Sequence, residues 1–269
     1  MNNDWDILAP FHHHFIDKGY TADTSTYIMS LLPARKLSIL ALGGGSGQTL
    51  FPLKTNTFEV VVIDASKHMV EICRTNGFDA RLGLAQQLPL DDQTFDVIIT
   101  LTGIIDYMED ETAREVLREC HRVARQDALI FVGHLPRDDW RLALMIRYFG
   151  KMSYWRLVAS LDRISQLSPA ANNWVRRIFP YHPILEMVHQ LRQESAQANI
   201  PFKRILRALP GSNHARKKID IETLLLSTGW QQGIHFYEKP DLILASSKKA
   251  ELSAAKNGNQ ENTRTMSKE

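Results

Sequence analysis

The 269-residue chain lacks most features that mark secreted or membrane-spanning proteins. No stretch of 18 residues is both apolar and uncharged, so the sequence predicts no transmembrane helix. The amino-terminal residues combine neither a basic region nor an apolar run, so they do not look like a secretory signal. The two cysteines, Cys73 and Cys120, have no metal-ligand spacing and are expected to be reduced thiols. These absences together favour a cytoplasmic protein.

Charge of one sign is concentrated in one part of the chain, although the formal net charge is only +2. Residues 136–218 contain fifteen lysines and arginines, five acidic residues and nine aromatic residues. This composition favours an apolar pocket with a basic outer face. Contact with an anionic metabolite or with an anionic membrane surface is the next interpretation. RNA binding is disfavoured, because the pI of 8.5 is lower than that of strongly basic nucleic-acid-binding domains.

The most informative segment is an apolar run that ends in glycines, Ser38-Ile39-Leu40-Ala41-Leu42-Gly43-Gly44-Gly45-Ser46-Gly47. Such a run is typical of a buried parallel strand that ends at the ligand crevice of an open α/β sheet. The dinucleotide fingerprint requires a third glycine where Gln48 stands, and no phosphate-loop motif follows. The glycines predict close approach by a ligand, but by themselves they leave open a generic Rossmann-like turn.

A second apolar run, Glu59–Ile63, ends in Asp64, which follows Gly43 by 21 residues. This separation is close to the roughly 20 residues that place an acidic group at the tip of the next strand. A carboxylate at that position can accept hydrogen bonds from the ribose hydroxyls of an adenosine-type ligand. Asp64 is therefore the predicted ribose ligand.

Strand and helix patterns alternate over the first half of the chain. This alternation predicts an α/β fold with a Rossmann-like, doubly wound sheet of seven strands, mostly parallel, with an antiparallel last strand. The predicted strands before the insertion are 38–42, 59–64, 80–84, 95–101 and 128–134, and the predicted helices are 21–32, 67–76 and 111–125. Pro52 should limit the helix after the glycines to a short piece.

The pattern changes after the fifth strand and divides the chain into four predicted regions. Residues 1–134 would hold the amino-terminal helices and the Rossmann-like core, and 135–218 a helical lid that binds substrate. Residues 219–249 would add the closing helix and the final strands. The polar residues 250–269 have the composition of a disordered tail.

Further motifs lie in a fixed order along the chain. Leu88–Val97 contains Leu-Pro-Leu, four spacer residues and Phe-Asp-Val, Ile104–Asp110 follows the fourth strand, and Ser227–Trp230 ends the closing helix. Together with the glycines and Asp64, these segments resemble the class I S-adenosylmethionine (SAM) methyltransferases, in particular the small-molecule, type 11 or UbiE-like domains. The resemblance covers residues 36–134 and resumes at 219–246.

The resemblance implies SAM as the cofactor and a small, partly apolar metabolite as the methyl acceptor through oxygen, nitrogen or carbon. No nucleic-acid partner is expected. The implied cofactor-binding residues are Gly43, Gly44, Gly45, Gly47, Asp64, Ala65, Leu84, Ala85, Thr100 and Leu101. Ala41 and Leu84 stand where the family usually has acidic anchors. A degenerate, methyltransferase-like binding protein and a lipid or quinone methyltransferase at a membrane surface are therefore the alternatives.

Three residues are candidates for the chemistry of transfer. His134 ends the predicted fifth strand at the crevice, and an unperturbed pKa of about 6.5 would suit a general base. Substrate orientation or capping of the lid is the alternative role for His134. Asp106 and Tyr107 follow the fourth strand and could contact the acceptor or the methionine end of the cofactor.

Three consecutive histidines, His12-His13-His14, raise the question of a metal site. Three neighbours cannot all face one way on regular secondary structure, and the sequence shows no second cluster of ligands. The favoured interpretation is a polar amino-terminal segment over the cofactor, with no metal.

Overall fold

The computed structural model describes residues 4–14, 18–100, 104–134, 151–179, 182–209, 216–239 and 242–249. In these ranges the strands are β1 (Leu37–Leu42), β2 (Phe58–Asp64), β3 (Asp79–Leu82), β4 (Phe95–Thr100), β5 (Ala124–His134), β6 (Trp230–Lys239) and β7 (Leu242–Lys249). The α-helices are α1 (Asp4–Leu8), α2 (Lys18–Leu31), α3 (Lys67–Thr75), α4 (Asp110–Val123), α5 (Lys151–Ser165), α6 (Pro169–Ile178), α7 (His182–Gln197), α8 (Phe202–Ala208) and α9 (Lys218–Ser227). Short 3₁₀ helices cover Ala9–His14, Gln48–Leu53 and Ile104–Tyr107.

The strands form one sheet in the order β3-β2-β1-β4-β5-β7-β6. The pairs from β3 to β5 are parallel, and β7 is antiparallel to both β5 and β6. This confirms the predicted α/β class, the seven strands and the antiparallel last strand. The order reverses between β1 and β4, and open α/β sheets bind ligands at the carboxyl ends of strands beside such a reversal.

Two apolar layers cover the two faces of the sheet. Successive side chains of a strand point to opposite faces, and β1 shows the consequence. Leu40 and Leu42 pack with α4 and α9, whereas Ile39 and Ala41 pack with α2 and α3. Burial of each leucine or isoleucine contributes about 1.5–3 kcal/mol relative to exposure. A strand that is apolar on both faces can therefore hold its carboxyl end rigidly at the crevice.

Local sequence signals set the ends of several elements. Ser66 caps α3, because its Oγ accepts a hydrogen bond from the Met69 backbone N–H at 3.2 Å. The helix ends before Gly77, whose φ is +81°. Pro52 lies inside the 3₁₀ helix Gln48–Leu53, which confirms that the helix after the glycines is short.

The start of β5 corrects the sequence prediction. The predicted helix 111–125 ends at Val123, and the strand begins at Ala124 rather than at residue 128. Ala124 pairs with Phe95, but regular pairing resumes only at Leu129, opposite Val97. Between these pairs Asp127 adopts a φ of +61°. The strand therefore contains an irregular stretch that interrupts the alternation by which strands are recognised.

The helices α5 to α8 have an apolar core of their own, separate from the two layers of the sheet. Tyr154, Val158 and Val188 are buried there, and Leu8 and Phe11 join them from the amino terminus. The amino-terminal segment, defined here as residues 4–14, therefore packs on the inserted helices. The predicted boundary at residue 134 stays a prediction, and the predicted tail 250–269 lies outside the described residues.

None of the described helices has the length and apolar run that crossing a bilayer needs.

Candidate functional site

A tight bend follows β1 and forms the floor of the candidate site. Gly43, Gly45 and Gly47 all have positive φ, at +59°, +54° and +78°. This left-handed conformation costs other residues roughly 1–2 kcal/mol. The Gly43 N–H donates to the carbonyl of Ile63 at 2.8 Å, which holds the bend against β2. The predicted glycine turn is therefore real and stands beside the end of the neighbouring strand.

The carboxylate of Asp64, the last residue of β2, joins this bend. Its Oδ2 accepts a hydrogen bond from the Gly45 N–H at 3.0 Å, and its Oδ1 accepts one from the Ser66 N–H at 2.8 Å. Burial raises the pKa of Asp64, and hydrogen bonds from the backbone N–H groups of Ser66, Gly45 and Ala65 oppose that effect. The two carboxylate oxygens together have about four acceptor sites, so Asp64 keeps acceptor capacity for a ligand hydroxyl.

The amino-terminal segment lies directly over the glycine bend. A Cβ placed on Gly45 would be 2.8 Å from Nε2 of His12, so the imidazole packs closely on this glycine. Burial, with the neighbouring charge of His13, lowers the pKa of His12 to about 4, which keeps the ring neutral at pH 7. Its buried Nδ1 has no hydrogen-bond partner among the described residues.

A carboxylate anchors the same segment beside the site. Asp6 accepts a hydrogen bond from the Ser66 hydroxyl at 2.6 Å, and the His68 N–H donates to the same oxygen at 3.4 Å. Ser66 therefore caps α3, donates its N–H to Asp64 and holds Asp6. The contacts connect the amino-terminal segment to the tip of β2.

The residues predicted to flank an adenine lie beyond β2 and β3. Ala65 is exposed and Ala85 is half-buried. Leu84 exposes 49% of its surface, which is high for a large apolar residue. The Gly83 N–H donates to the backbone carbonyl of Asp64 at 3.1 Å, which fixes this turn beside the carboxylate. An aromatic ring placed there would cover apolar surface that is now exposed to water.

Thr100 ends β4 on the other side of the bend. It pairs in register with Leu42, the residue before Gly43. Its side chain is fully buried, and Oγ1 has no hydrogen-bond partner among the described residues. A buried hydroxyl normally has a partner, so this atom fits a site that contacts a polar ligand. Leu101, the next predicted cofactor residue, lies outside the described residues.

Asp106 and Tyr107 lie in the 3₁₀ helix Ile104–Tyr107, close to the bend. The Ile104 side chain occupies the space that a Cβ on Gly43 would need. Asp106 is fully buried. Burial, with the charge of Asp106, raises the pKa of Tyr107 to about 12. The phenol therefore stays protonated at neutral pH and is suited to donate a hydrogen bond rather than to accept a proton.

Arg216 holds this segment in place, although no motif in the sequence predicts that role. Its guanidinium donates to the carbonyls of Ile105 and Met108 and to Oδ1 of Asp110, and lies 3.9 Å from Oδ1 of Asp106. Only 4% of the residue is exposed. No local pattern identifies an arginine whose partners lie more than a hundred residues earlier.

His134, the predicted base, ends β5. Its backbone pairs with Ile243 in the antiparallel ladder. Its position at the carboxyl end of β5, two strands from β1, agrees with the predicted place on the crevice side. The side chain lies outside the described part of the structure, so its role as a base stays a prediction.

A family model described as a methyltransferase domain matches residues 39–127 of the chain. This range contains the glycine bend, Asp64, Leu84 and Asp106. The chain is 28% identical over 165 residues to an uncharacterized methyltransferase of Bacillus subtilis, covering 52% of this chain and 64% of that protein. It is 27% identical over 119 residues to the ubiquinone/menaquinone biosynthesis C-methyltransferase of Rubrivivax gelatinosus. That match covers 43% of this chain and 46% of the relative. The chain thus spans less than two thirds of the curated relatives it matches.

Solved structures show the same fold at low sequence identity. A SAM-dependent methyltransferase of Thermotoga maritima superposes with a TM-score of 0.55 at 14% identity, covering 93% of this chain and all of that one. A protein of Pyrococcus horikoshii also superposes with a TM-score of 0.55, at 16% identity. That superposition covers 87% of this chain and 92% of the other. The structural similarity therefore covers most of the chain, whereas the family model matches residues 39–127.

Proposed function

We propose that this chain, which carries a class I SAM-dependent methyltransferase domain, transfers a methyl group from SAM to a small, partly apolar metabolite. One observation carries the proposal: the glycine bend after β1 is hydrogen-bonded to the carboxylate at the end of β2. That pairing gives an adenosyl ligand a surface without side chains for close approach and a ribose acceptor beside it.

The residues present fit SAM. The backbone of Gly43 to Gly47 would contact the ligand, and Asp64 would accept hydrogen bonds from the ribose. Leu84, Ala65 and Ala85 would give adenine an apolar contact. The buried hydroxyl of Thr100 and the buried Nδ1 of His12 are polar atoms that a ligand could satisfy. When bound, SAM supplies a methyl group activated by a sulfonium.

The protein itself must orient the acceptor, exclude water from the site and, where needed, accept a proton from the acceptor. His12 and the rest of the amino-terminal segment cover the bend from the solvent side. Tyr107 can donate a hydrogen bond to the acceptor, while Arg216 fixes the backbone that carries Tyr107 and Asp106. His134 is the proposed base where the acceptor must lose a proton. Asp106 is proposed to orient the acceptor.

The proposed acceptor is small because the sequence motifs resemble those of small-molecule methyltransferases. The nine aromatic residues in 136–218 favour a partly apolar acceptor. The excess of lysines and arginines over acidic residues in the same range favours an acceptor with an anionic group. These considerations support a class of acceptor and leave open which atom receives the methyl group.

Isothermal titration calorimetry with SAM and S-adenosylhomocysteine tests the proposal. We expect both to bind the full chain, and we expect S-adenosylhomocysteine to form when SAM and a small-molecule extract are supplied. Absence of binding up to about millimolar concentration would refute the assignment. Binding of SAM without formation of S-adenosylhomocysteine would instead support the alternative of a methyltransferase-like binding protein without methyl transfer. Mass spectrometry of molecules that co-purify with the chain would identify candidate acceptors.

We infer the surface of an anionic membrane as a second candidate setting, because α6 has an apolar face beside positive charge. Trp174 and Ile178 are each 52% exposed and lie one turn apart, so they share a face. Arg176 and Arg177 are also exposed. Exposed tryptophan beside arginines is typical of helices that lie in a membrane interface.

Vesicle sedimentation tests this second setting. The chain should bind vesicles that contain phosphatidylserine at low salt, and Trp174→Ser should weaken that binding. The exposed Leu226 of α9 provides the control Leu226→Ser. Failure to bind, or equal binding to neutral vesicles, would rule out an anionic surface.

A further inference from the structure

The structure assigns a binding site for a divalent transition metal of the zinc type to His13, His14 and Glu194. Each of the three side chains offers one ligand atom, and these atoms all lie within 4.8 Å of one another. Such a site would attach the amino-terminal segment to the inserted helices, and it does not depend on the proposed methyl transfer.

The fold brings together residues that are 180 positions apart in sequence. Consecutive side chains on a 3₁₀ helix are spaced by about a third of a turn. On the helix Ala9–His14, the ring of His12 packs on the glycine bend, whereas His13 and His14 both contact Glu194 of α7. The ring centroids of His13 and His14 lie 4.1 Å apart. The third ligand cannot be recognised from the sequence, because Glu194 reaches the histidines only when α7 packs on the amino-terminal segment.

The distances suit a metal ion. Nε2 of His13 lies 3.3 Å from Oε1 of Glu194, and Nε2 of His14 lies 2.9 Å from the same oxygen. In a tetrahedral zinc site with bonds of about 2.0–2.1 Å, neighbouring ligand atoms are about 3.4 Å apart. Both separations from the carboxylate oxygen are close to this value, and all three ligand atoms lie within 4.8 Å of one another.

His14 makes the more buried of the two imidazole contacts with Glu194. Its Nε2 lies 2.9 Å from Oε1 of Glu194, and no other described group offers this buried nitrogen a hydrogen bond. A cation shared by the two imidazoles and the carboxylate would bind this nitrogen as a ligand.

The donor set indicates the kind of ion, and the exposure of the side chains indicates how water can reach it. Two imidazoles and one carboxylate suit zinc and its neighbours, whereas magnesium and calcium prefer oxygen donors alone. The side chains of His14, Glu194 and His13 are 8%, 32% and 53% exposed. The site is thus buried on one side and open on the other, where water can complete the coordination.

A metal at this position would cross-link the amino-terminal segment to α7. The same short helix holds His12 against Gly45, so the cross-link would keep the covering segment on the glycine bend. The proposed role is structural, with no part in the chemistry of transfer.

Calorimetric titration of the untagged, metal-stripped full chain with Zn²⁺ alone tests the site. We expect one equivalent to bind and the melting temperature to rise, with no comparable response to Mg²⁺ or Ca²⁺. His13→Gln and Glu194→Gln should each weaken Zn²⁺ binding by about tenfold or more, because metal affinity depends on every ligand. Both change side chains that are partly exposed, and circular dichroism will verify folding.

The chain provides matched controls. Glu186→Gln alters an exposed glutamate on the same helix, and His235→Gln alters an exposed histidine on β6. Both should bind Zn²⁺ as the parent chain does. The proposal is overturned by a parent chain that takes up no Zn²⁺ at about 100 μM free metal. Equal Zn²⁺ affinity in the parent, His13→Gln and Glu194→Gln would also overturn it.

Discussion

The backbone N–H of Gly45 donates to Oδ2 of Asp64 at 3.0 Å, so the glycine bend and the carboxylate of the next strand form one unit. Gly45 belongs to the turn after β1, and Asp64 ends β2. The parallel pairing of these strands sets the distance between the two residues, since Leu42 lies opposite Ile63. A ligand that touches the bend therefore meets the carboxylate as well.

Gly45→Ala should harm both folding and cofactor binding. The positive φ of +54° costs an alanine about 1–2 kcal/mol, and the new Cβ would press on the ring of His12. Chemical denaturation should show a loss of about that size, and calorimetry should show weaker SAM binding.

The double variant His12→Ala/Gly45→Ala separates the two causes. Removing the ring relieves the clash but leaves the backbone strain, so stability should recover only in part. Full stability in Gly45→Ala alone would contradict the described bend.

Arg216→Ala should strongly destabilise the segment that carries Asp106 and Tyr107. The guanidinium donates to two carbonyls and to Asp110, and it lies 3.9 Å from the fully buried carboxylate of Asp106. Removing one partner of a buried ion pair costs about 3–5 kcal/mol. Thermal unfolding of Arg216→Ala and Arg216→Lys measures the effect. Lysine should rescue little, because it cannot reproduce the planar fork of donors. The exposed Arg207→Ala is the control, and an equally small effect of both alanine variants would disprove the described network.

The loop before β4 should be held in a pH-dependent manner by Glu119. Its carboxylate accepts hydrogen bonds from Arg122 and from the Leu88 N–H at 2.8 Å. The Arg122 hydrogen bond lowers the pKa of Glu119 below its usual 4.5. The lowered pKa means that this stabilisation is complete above the unfolded-state pKa and is lost as the pH falls through the folded-state pKa.

Glu119→Gln mimics the protonated side chain, so it should be less stable than the parent chain at pH 7. The difference in unfolding free energy should be about 1.5–3 kcal/mol, the value of a charged hydrogen bond, and should narrow as the pH falls below about 4. Denaturation curves from pH 3 to 7 measure it. Glu115→Gln on the exposed face of α4 is the control. A gap that stays constant over this range would refute the role of the charge.

Short-range patterns carried most of what could be predicted from the sequence. The apolar run of β1, the glycines and the 21-residue spacing to Asp64 are local, and they placed the bend and the carboxylate correctly. The cap at Ser66 depends on an equally local contact, since its partner Met69 is three residues away. Such features depend on residues a few positions apart, or on the regular geometry of one strand-helix-strand unit.

The contacts that sequence analysis missed all join distant parts of the chain. Arg216 reaches back to Ile105, and Glu194 reaches back to His13 and His14. Leu8 and Phe11 pack in the core of the inserted helices. Each contact depends on how whole helices dock, and no spacing along the chain encodes that docking. The irregular start of β5 was missed because its strand alternation is interrupted.

The central claim is that the bend at Gly45 and the carboxylate of Asp64 together bind an adenosyl cofactor. Calorimetry with S-adenosylhomocysteine on the parent chain, Asp64→Ala and the exposed control Asp79→Ala tests it most directly. We expect at least about tenfold weaker binding for Asp64→Ala, equal to about 1.4 kcal/mol, and an unchanged affinity for Asp79→Ala. Equal affinity of Asp64→Ala and the parent chain would contradict it.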